Sequence, residues 1–156
     1  MIPNEKFKFE TAMKGNSKIV VLRGIIDEDT TFIELENLGK NLIFNWKEIT
    51  SINSCGVRNW VNYLKDLTGS EIAYEECPPL IVRQMNMIPS FMGPAQVQSV
   101  YAPYVCENCE VEKLILTEAK TFKDLSLLEH GKTCESCQKG EMELDGHPQQ
   151  YFAFAK

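Results

Sequence analysis

Four of the six cysteines fall into two matched pairs, Cys106-x-x-Cys109 and Cys134-x-x-Cys137, with 24 residues between them. A CxxC turn sets two thiols on one side of a tight bend, and two such turns face to face complete a tetrahedral sulfur site. The separation is longer than usual for such sites, but the insert has readable structure of its own. Sulfur-only ligation selects zinc or iron, and nothing nearby marks an electron-transfer partner, which favours one Zn2+ ion. Four thiolates leave no position for a catalytic water, so the expected role is structural. A redox CxxC would follow a strand and open a helix within a βαβ pattern, which this stretch lacks. His130 and His147 could substitute as ligands but read as surface residues beside four cysteines. Two histidines cannot build a Ser/His/Asp constellation, and no phosphate-cradling glycine loop is present. The chain does not read as an enzyme.

A second polar stretch stands out, Asn53-Ser54-Cys55-Gly56, between an apolar run and a helical pattern. Leu42-Ile43-Phe44 reads as a buried strand. Beyond the turn, Val57, Trp60, Val61, Leu64 and Leu67 recur at helical spacing and give one apolar face. Ser54 is expected to cap this helix, its hydroxyl accepting from a backbone N–H. The unpaired N–H groups and positive dipole end also tolerate an added anion there, such as a phosphate on Ser54. Cys55 is read as a small residue near the helix start, with a thiol sensor as the sharper alternative.

The order of strand, Ile-Asn-Ser-Cys-Gly and amphipathic helix resembles a STAS domain, the fold of bacterial anti-anti-sigma factors and sulfate-transporter tails. Asn45 and Asn53 fall where that family carries Asp, Ser54 at its phosphorylated serine, Cys55 at the next Ser/Thr and Gly56 at the glycine. The resemblance covers about the first two-thirds of the chain. It implies a STAS-like mixed sheet with helices, and signal transduction by docking a partner at Asn53, Ser54, Cys55, Gly56 and Arg58. The implied partner is an anti-sigma factor or a related serine-kinase ATPase, to which the ATP would belong. Asn at both acidic positions removes charge beside Ser54, so a scaffold or protein-interaction module that is never phosphorylated stands as the alternative.

These sites need elements to hold them. Lys6–Glu10 reads as an edge strand, Gly15-Asn16 as a turn, and Lys18–Asp27 as a β-branched strand with a bulge at Gly24. A helix capped by Asp29 or Thr30 is expected to carry Phe32, Ile33, Leu35 and Leu38 and to end at Gly39. Glu71–Cys77 reads as a strand, and Pro79 as the first turn of a helix through Met87. The domain boundary is placed near Gly93-Pro94, giving a STAS-like domain over 1–94 and a small all-β zinc ribbon over 95–156. In the ribbon, Glu112–Thr117, Glu141–Leu144 and Tyr151–Phe154 are read as strands.

Composition bounds the rest. The 156 residues are 44% hydrophobic and 24% charged, as in a globular protein. The net charge of −6 argues against a nucleic-acid partner. No apolar run approaches the ~20 residues of a membrane helix, and Met1–Glu10 lacks the apolar centre of a signal peptide. A cytoplasmic location is the resulting expectation, with reduced thiols.

Overall fold

The computed structural model describes residues 5–67 and 69–155. Met1–Asn4, part of the segment tested for a signal peptide, lie outside them. The chain opens as a hairpin, β1 (Lys8–Lys14) against β2 (Ser17–Ile26), turning at Gly15-Asn16. β2 then pairs in parallel with β3 (Asn41–Ile52), and the register slips on either side of Gly24, as the expected bulge requires. β4 (Glu71–Glu75) and β5 (Gln96–Val97) extend the sheet in parallel, giving the order β1-β2-β3-β4-β5. Leu42 through Trp46 are buried without interruption, because strands in the middle of a parallel sheet are covered on both faces.

α1 (Ser54–Lys65) follows β3 directly and packs Val57, Trp60, Tyr63 and Leu64 onto the sheet. Trp60 meets Phe44 edge-on with centroids 4.9 Å apart, and Trp46 at 4.8 Å. The polar tips of this aromatic core are connected. Trp60 Nε1 donates to Tyr74 Oη at 2.8 Å, and Tyr74 Oη donates to the Phe91 carbonyl at 2.6 Å. Phe91 belongs to α3 (Pro89–Met92), which follows α2 (Pro79–Met87), where Pro79 occupies the first helical turn as expected.

Between β2 and β3 the expected helix is reduced to a 3-10 turn at Ile33–Leu35. Of the two expected caps, the Thr30 side chain is engaged otherwise and the Asp29 backbone is held by Asp27. Thr30 Oγ1 accepts from the Asp27 N–H at 2.9 Å, and Asp27 Oδ1 accepts from the Asp29 N–H at 3.0 Å. Such local side-chain bonds compete with helix formation. Phe32 and Leu35 are still buried, but Ile33 is 64% exposed.

β5 begins two residues past Pro94 and pairs with β4, and the chain enters a second sheet at β6 (Ser99–Cys106). This sheet has the order β7-β6-β9-β8, with β7 at Glu112–Glu118, β8 at Lys132–Thr133 and β9 at Glu141–Leu144, all antiparallel. The region is not all β. α4 (Ala119–Lys123) follows β7, and the aromatic run expected as a last strand forms α5 (Pro148–Tyr151) and a 3-10 turn at Ala153–Ala155. Pro148 starts that helix, and the Asn86 side chain fixes the helix end and the turn after it. Its amide donates to the Tyr151 carbonyl at 2.9 Å, and its oxygen accepts from the Phe154 N–H at 2.8 Å. Phe152 and Phe154 thereby close on Phe122. One buried cluster runs through both sheets. No helix among the described residues is long and apolar enough to cross a membrane.

Candidate metal centre and the turn before α1

The two cysteine turns come from different strands. β6 delivers Cys106 at its end, and the Glu110 N–H closes the first turn on the Cys106 carbonyl at 3.0 Å. β8 leads into Cys134, where the Gln138 N–H closes the second turn on the Cys134 carbonyl at 2.8 Å. The residue after each pair takes a positive φ, 63° at Glu110 and 59° at Gln138. Residues other than Gly, Asn, Asp and His adopt this conformation uncommonly, and finding it twice at equivalent positions marks two copies of one turn.

All four Sγ atoms lie within 4.8 Å of one another. Cys106 and Cys137 are 3.7 Å apart, as are Cys109 and Cys134. Four sulfurs about 2.3 Å from a central ion in a tetrahedron stand about 3.8 Å from each other, so the donor set fits such an ion. The same separation is far too long for a disulfide. Backbone N–H groups point at the sulfurs: Asn108 and Cys109 to Cys106, and Gly140 to Cys137, each at 3.4 Å. The Asn108 amide reaches across to Cys137 at 3.5 Å, tying the two turns together. Gly140 is required by space, since a Cβ there would lie 2.6 Å from both Cys106 Sγ and Asn108 Cβ.

The thiols are not equivalent. Backbone N–H from Lys139, then the Asn108 amide and the Gly140 N–H, pull Cys137 down to about 6. Backbone bonds led by the Cys137 N–H also lower Cys134. At Cys109 the Val111 backbone pulls downward, but burial and the neighbouring thiols together push it up to about 12. Cys106 and Cys134 are buried, whereas Cys109 is exposed. Sequence reasoning found the four ligands but missed Asn108 and Gly140. Gly140, three residues beyond Cys137, was the available signal; Asn108 carried none.

At the start of α1 the cap is Asn53, not Ser54. Asn53 has an extended backbone, and its Oδ1 accepts from the Gly56 N–H at 2.8 Å. Asn caps as well as Ser does, and here it stands one residue earlier, where the chain is still extended. Ser54 is the first helical residue and is exposed, with Cys55 and Arg58 also exposed. Ser54 and Arg58 are one turn apart and share a face. Gly56 is buried against β2: a Cβ there would stand 2.4 Å from the Ile26 carbonyl oxygen, which also accepts from the Asn53 N–H.

Both asparagines in the acidic positions meet carboxylates from elsewhere. Asn53 Nδ2 donates to Glu28 at 2.8 Å. The buried Asn45 donates to Glu75 at 2.8 Å and also to Glu76. Tyr101 in turn donates to Glu76 at 2.8 Å. Burial pushes the Glu76 carboxyl up, but the bonds from Asn45 and Tyr101 and the nearby Lys47 outweigh it and hold it below its usual value. This network joins β3 to the second sheet, and no sequence signal pointed to it. Cys77 is fully buried and kept neutral by burial, followed by the Glu75 charge. The four-cysteine cluster and the Ser54 turn remain separate features. Comparison with family models finds no match, and comparison with curated proteins finds none.

Proposed function

We propose that the chain is a non-enzymatic, cytoplasmic regulatory protein that docks a protein partner at the turn before α1, with a Zn2+ ion in the four-cysteine site as its structural support. The observation carrying the docking reading is the exposed trio Ser54, Cys55 and Arg58 at the start of an amphipathic helix whose opposite face is buried. A sheet that is parallel from β2 to β5, with an antiparallel first strand, supports the STAS-like reading. By that reading the partner is an anti-sigma factor or a related serine-kinase ATPase, and Ser54 is the residue it phosphorylates. Affinity capture of the native complex, with mass spectrometry of bound proteins, tests this. Recovery of such an ATPase by the natural chain, and its loss with Ser54→Asp, is the expected result. Capture unchanged by Ser54→Asp counts against it.

A second reading, a scaffold that is never phosphorylated, is favoured by the Glu28 carboxylate held on Asn53 beside Ser54. A phosphate added next to an existing carboxylate meets like charge. Intact mass of the protein from its own host separates the two readings, because a phosphate on Ser54 excludes the scaffold. Zinc is the ion that best suits four thiolates in a closed site with no redox partner. Metal analysis is expected to return one zinc per chain.

A further inference from the structure

β7 stands at the end of the second sheet and, among the described residues, pairs with β6 alone. Natural proteins usually protect such an edge with charged side chains, a proline, a bulge or a cover, because its free N–H and C=O groups accept another strand. On β7 the charges, Glu112, Lys113 and Glu118, stand toward the ends and leave Leu114–Leu116 without one. β7 pairs with β6 in one uninterrupted register and contains no proline. Alternate residues define its outward face: Glu112, Leu114, Leu116 and Glu118, all exposed. Leu114 is 54% exposed and Leu116 46%. Behind them on β6 stand Val105, Pro103 and Tyr101, each half-buried, so the apolar strip is two strands wide. The face therefore reads acid, aliphatic, aliphatic, acid.

That pattern selects the occupant. A second copy, pairing antiparallel about Ile115 in one continuous sheet, would set leucine against leucine but Glu112 against Glu118 at both ends. Like charges directly opposite each other destabilise a strand pair. A strand with a cation at each end and aliphatic residues at the two positions between satisfies all four pairs. We propose that β7 is a docking edge for an extended peptide segment of a partner protein with the alternation cation, aliphatic, aliphatic, cation on one face. The main chain would supply affinity through added ladder bonds, and the alternate side chains would supply specificity. This edge is independent of the Ser54 reading.

The test uses the full 15N-labelled chain and two probes, the capped peptides Lys-Thr-Val-Thr-Val-Thr-Lys and Glu-Thr-Val-Thr-Val-Thr-Glu, followed by amide chemical shifts. Saturable shifts confined to β7 and the adjoining β6 are expected with the lysine peptide. Binding of the glutamate peptide should be about tenfold weaker, the scale of two exposed ion pairs exchanged for two repulsions. Leu116→Lys should abolish the shifts while the rest of the spectrum stays in place. If that variant does not fold, Glu112→Gln with Glu118→Gln should remove the preference between peptides. Equal binding of both peptides, shifts centred elsewhere, or no saturable shift overturns the proposal. So does concentration-dependent dimerisation through β7 without peptide, which would assign the edge to a second copy.

Discussion

The turn before α1 and the paired cysteine turns both end a strand and reverse the chain, yet they are stabilised in opposite ways. At α1 everything needed comes from within the chain. The Asn53 amide caps the helix and meets Glu28, and Gly56 lets the helix start touch the Ile26 carbonyl. At the cysteine turns, four ionisable sulfurs converge within 4.8 Å, and the N–H groups aimed at them compensate only part of a thiolate charge. Two turns held this close are favourable with a cation between the sulfurs and unfavourable when several are charged without one. The difference teaches where external conditions can act: metal and acid on the second region, packing and capping on the first.

The largest expected effect breaks one side of that contrast. Cys134→Ser removes a fully buried member of the sulfur donor set. Structural zinc sites contribute about 10–16 kcal/mol of apparent binding free energy near pH 7, most of which an incomplete ligand set forfeits. Metal content should fall toward zero, and hydrogen-exchange protection should disappear from β8 and β9 while β2 and β3 keep theirs. Acid should act in the same direction. Protons compete with the ion for thiolates, so metal is retained at neutral pH and released as pH falls. Cys137 and Cys134, whose thiols the surrounding backbone N–H groups hold below the usual value, resist protonation more than ordinary thiols do. Metal retention against pH, read with a chromogenic chelator, checks the sign.

Gly56→Ala should break the other side without touching metal content. Its Cβ would meet backbone at 2.4 Å, which cannot rotate away. Overpacking of this kind costs about 3 kcal/mol, read as a lower denaturation midpoint with unchanged metal stoichiometry.

Asn45→Asp sharpens the comparison by replacing a neutral amide with a charge where two carboxylates already meet it. A third carboxylate would then stand against Glu75 and Glu76, where the amide now donates to both. The two glutamates are half-exposed, so the loss at pH 7 is held to about 1–2 kcal/mol. The sign of its pH dependence is fixed by the carboxyls. In the natural chain the Glu76 carboxyl sits below its usual value, so its contribution is present above the unfolded carboxyl range and lost as pH falls through the folded one. In the variant, mutual repulsion raises the folded values, and the deficit should shrink as pH falls toward the carboxyl range. Denaturant melts of both chains at several pH values would show the gap narrowing on acidification.

Much of this arrangement was legible in the residues. The cysteine spacing located the donor set, and the apolar run at Leu42–Phe44 followed by helical periodicity located β3 and α1. Two of the features that escaped depended on partners distant in sequence, and one on local side-chain bonds. The aromatic run at Tyr151–Phe154 alternates like a strand, but Pro148 starts a helix just before it, and Asn86, more than sixty residues earlier, fixes the helix end and the 3-10 turn after it. The segment after Asp27 carries helical spacing, but Asp27 and Thr30 consume each other's capping groups. Asn45 read as a loss of charge, whereas Glu75 and Glu76 bring charge to the same place from the next strand.

The smallest expected effect separates two neighbouring residues. Sequence made Ser54 the cap, while the side-chain bond to the Gly56 N–H belongs to Asn53. Removing a cap costs about 1 kcal/mol, and an exposed Ser-to-Ala change inside the first helical turn costs less than about 0.5 kcal/mol. Asn53→Ala should therefore lower the denaturation midpoint measurably, and Ser54→Ala should scarcely move it. Equal losses in the two variants would return the cap to Ser54. If stability survives Ser54→Ala, that variant becomes a usable tool for the docking question, since any change in partner capture would then report on the surface and not on the fold.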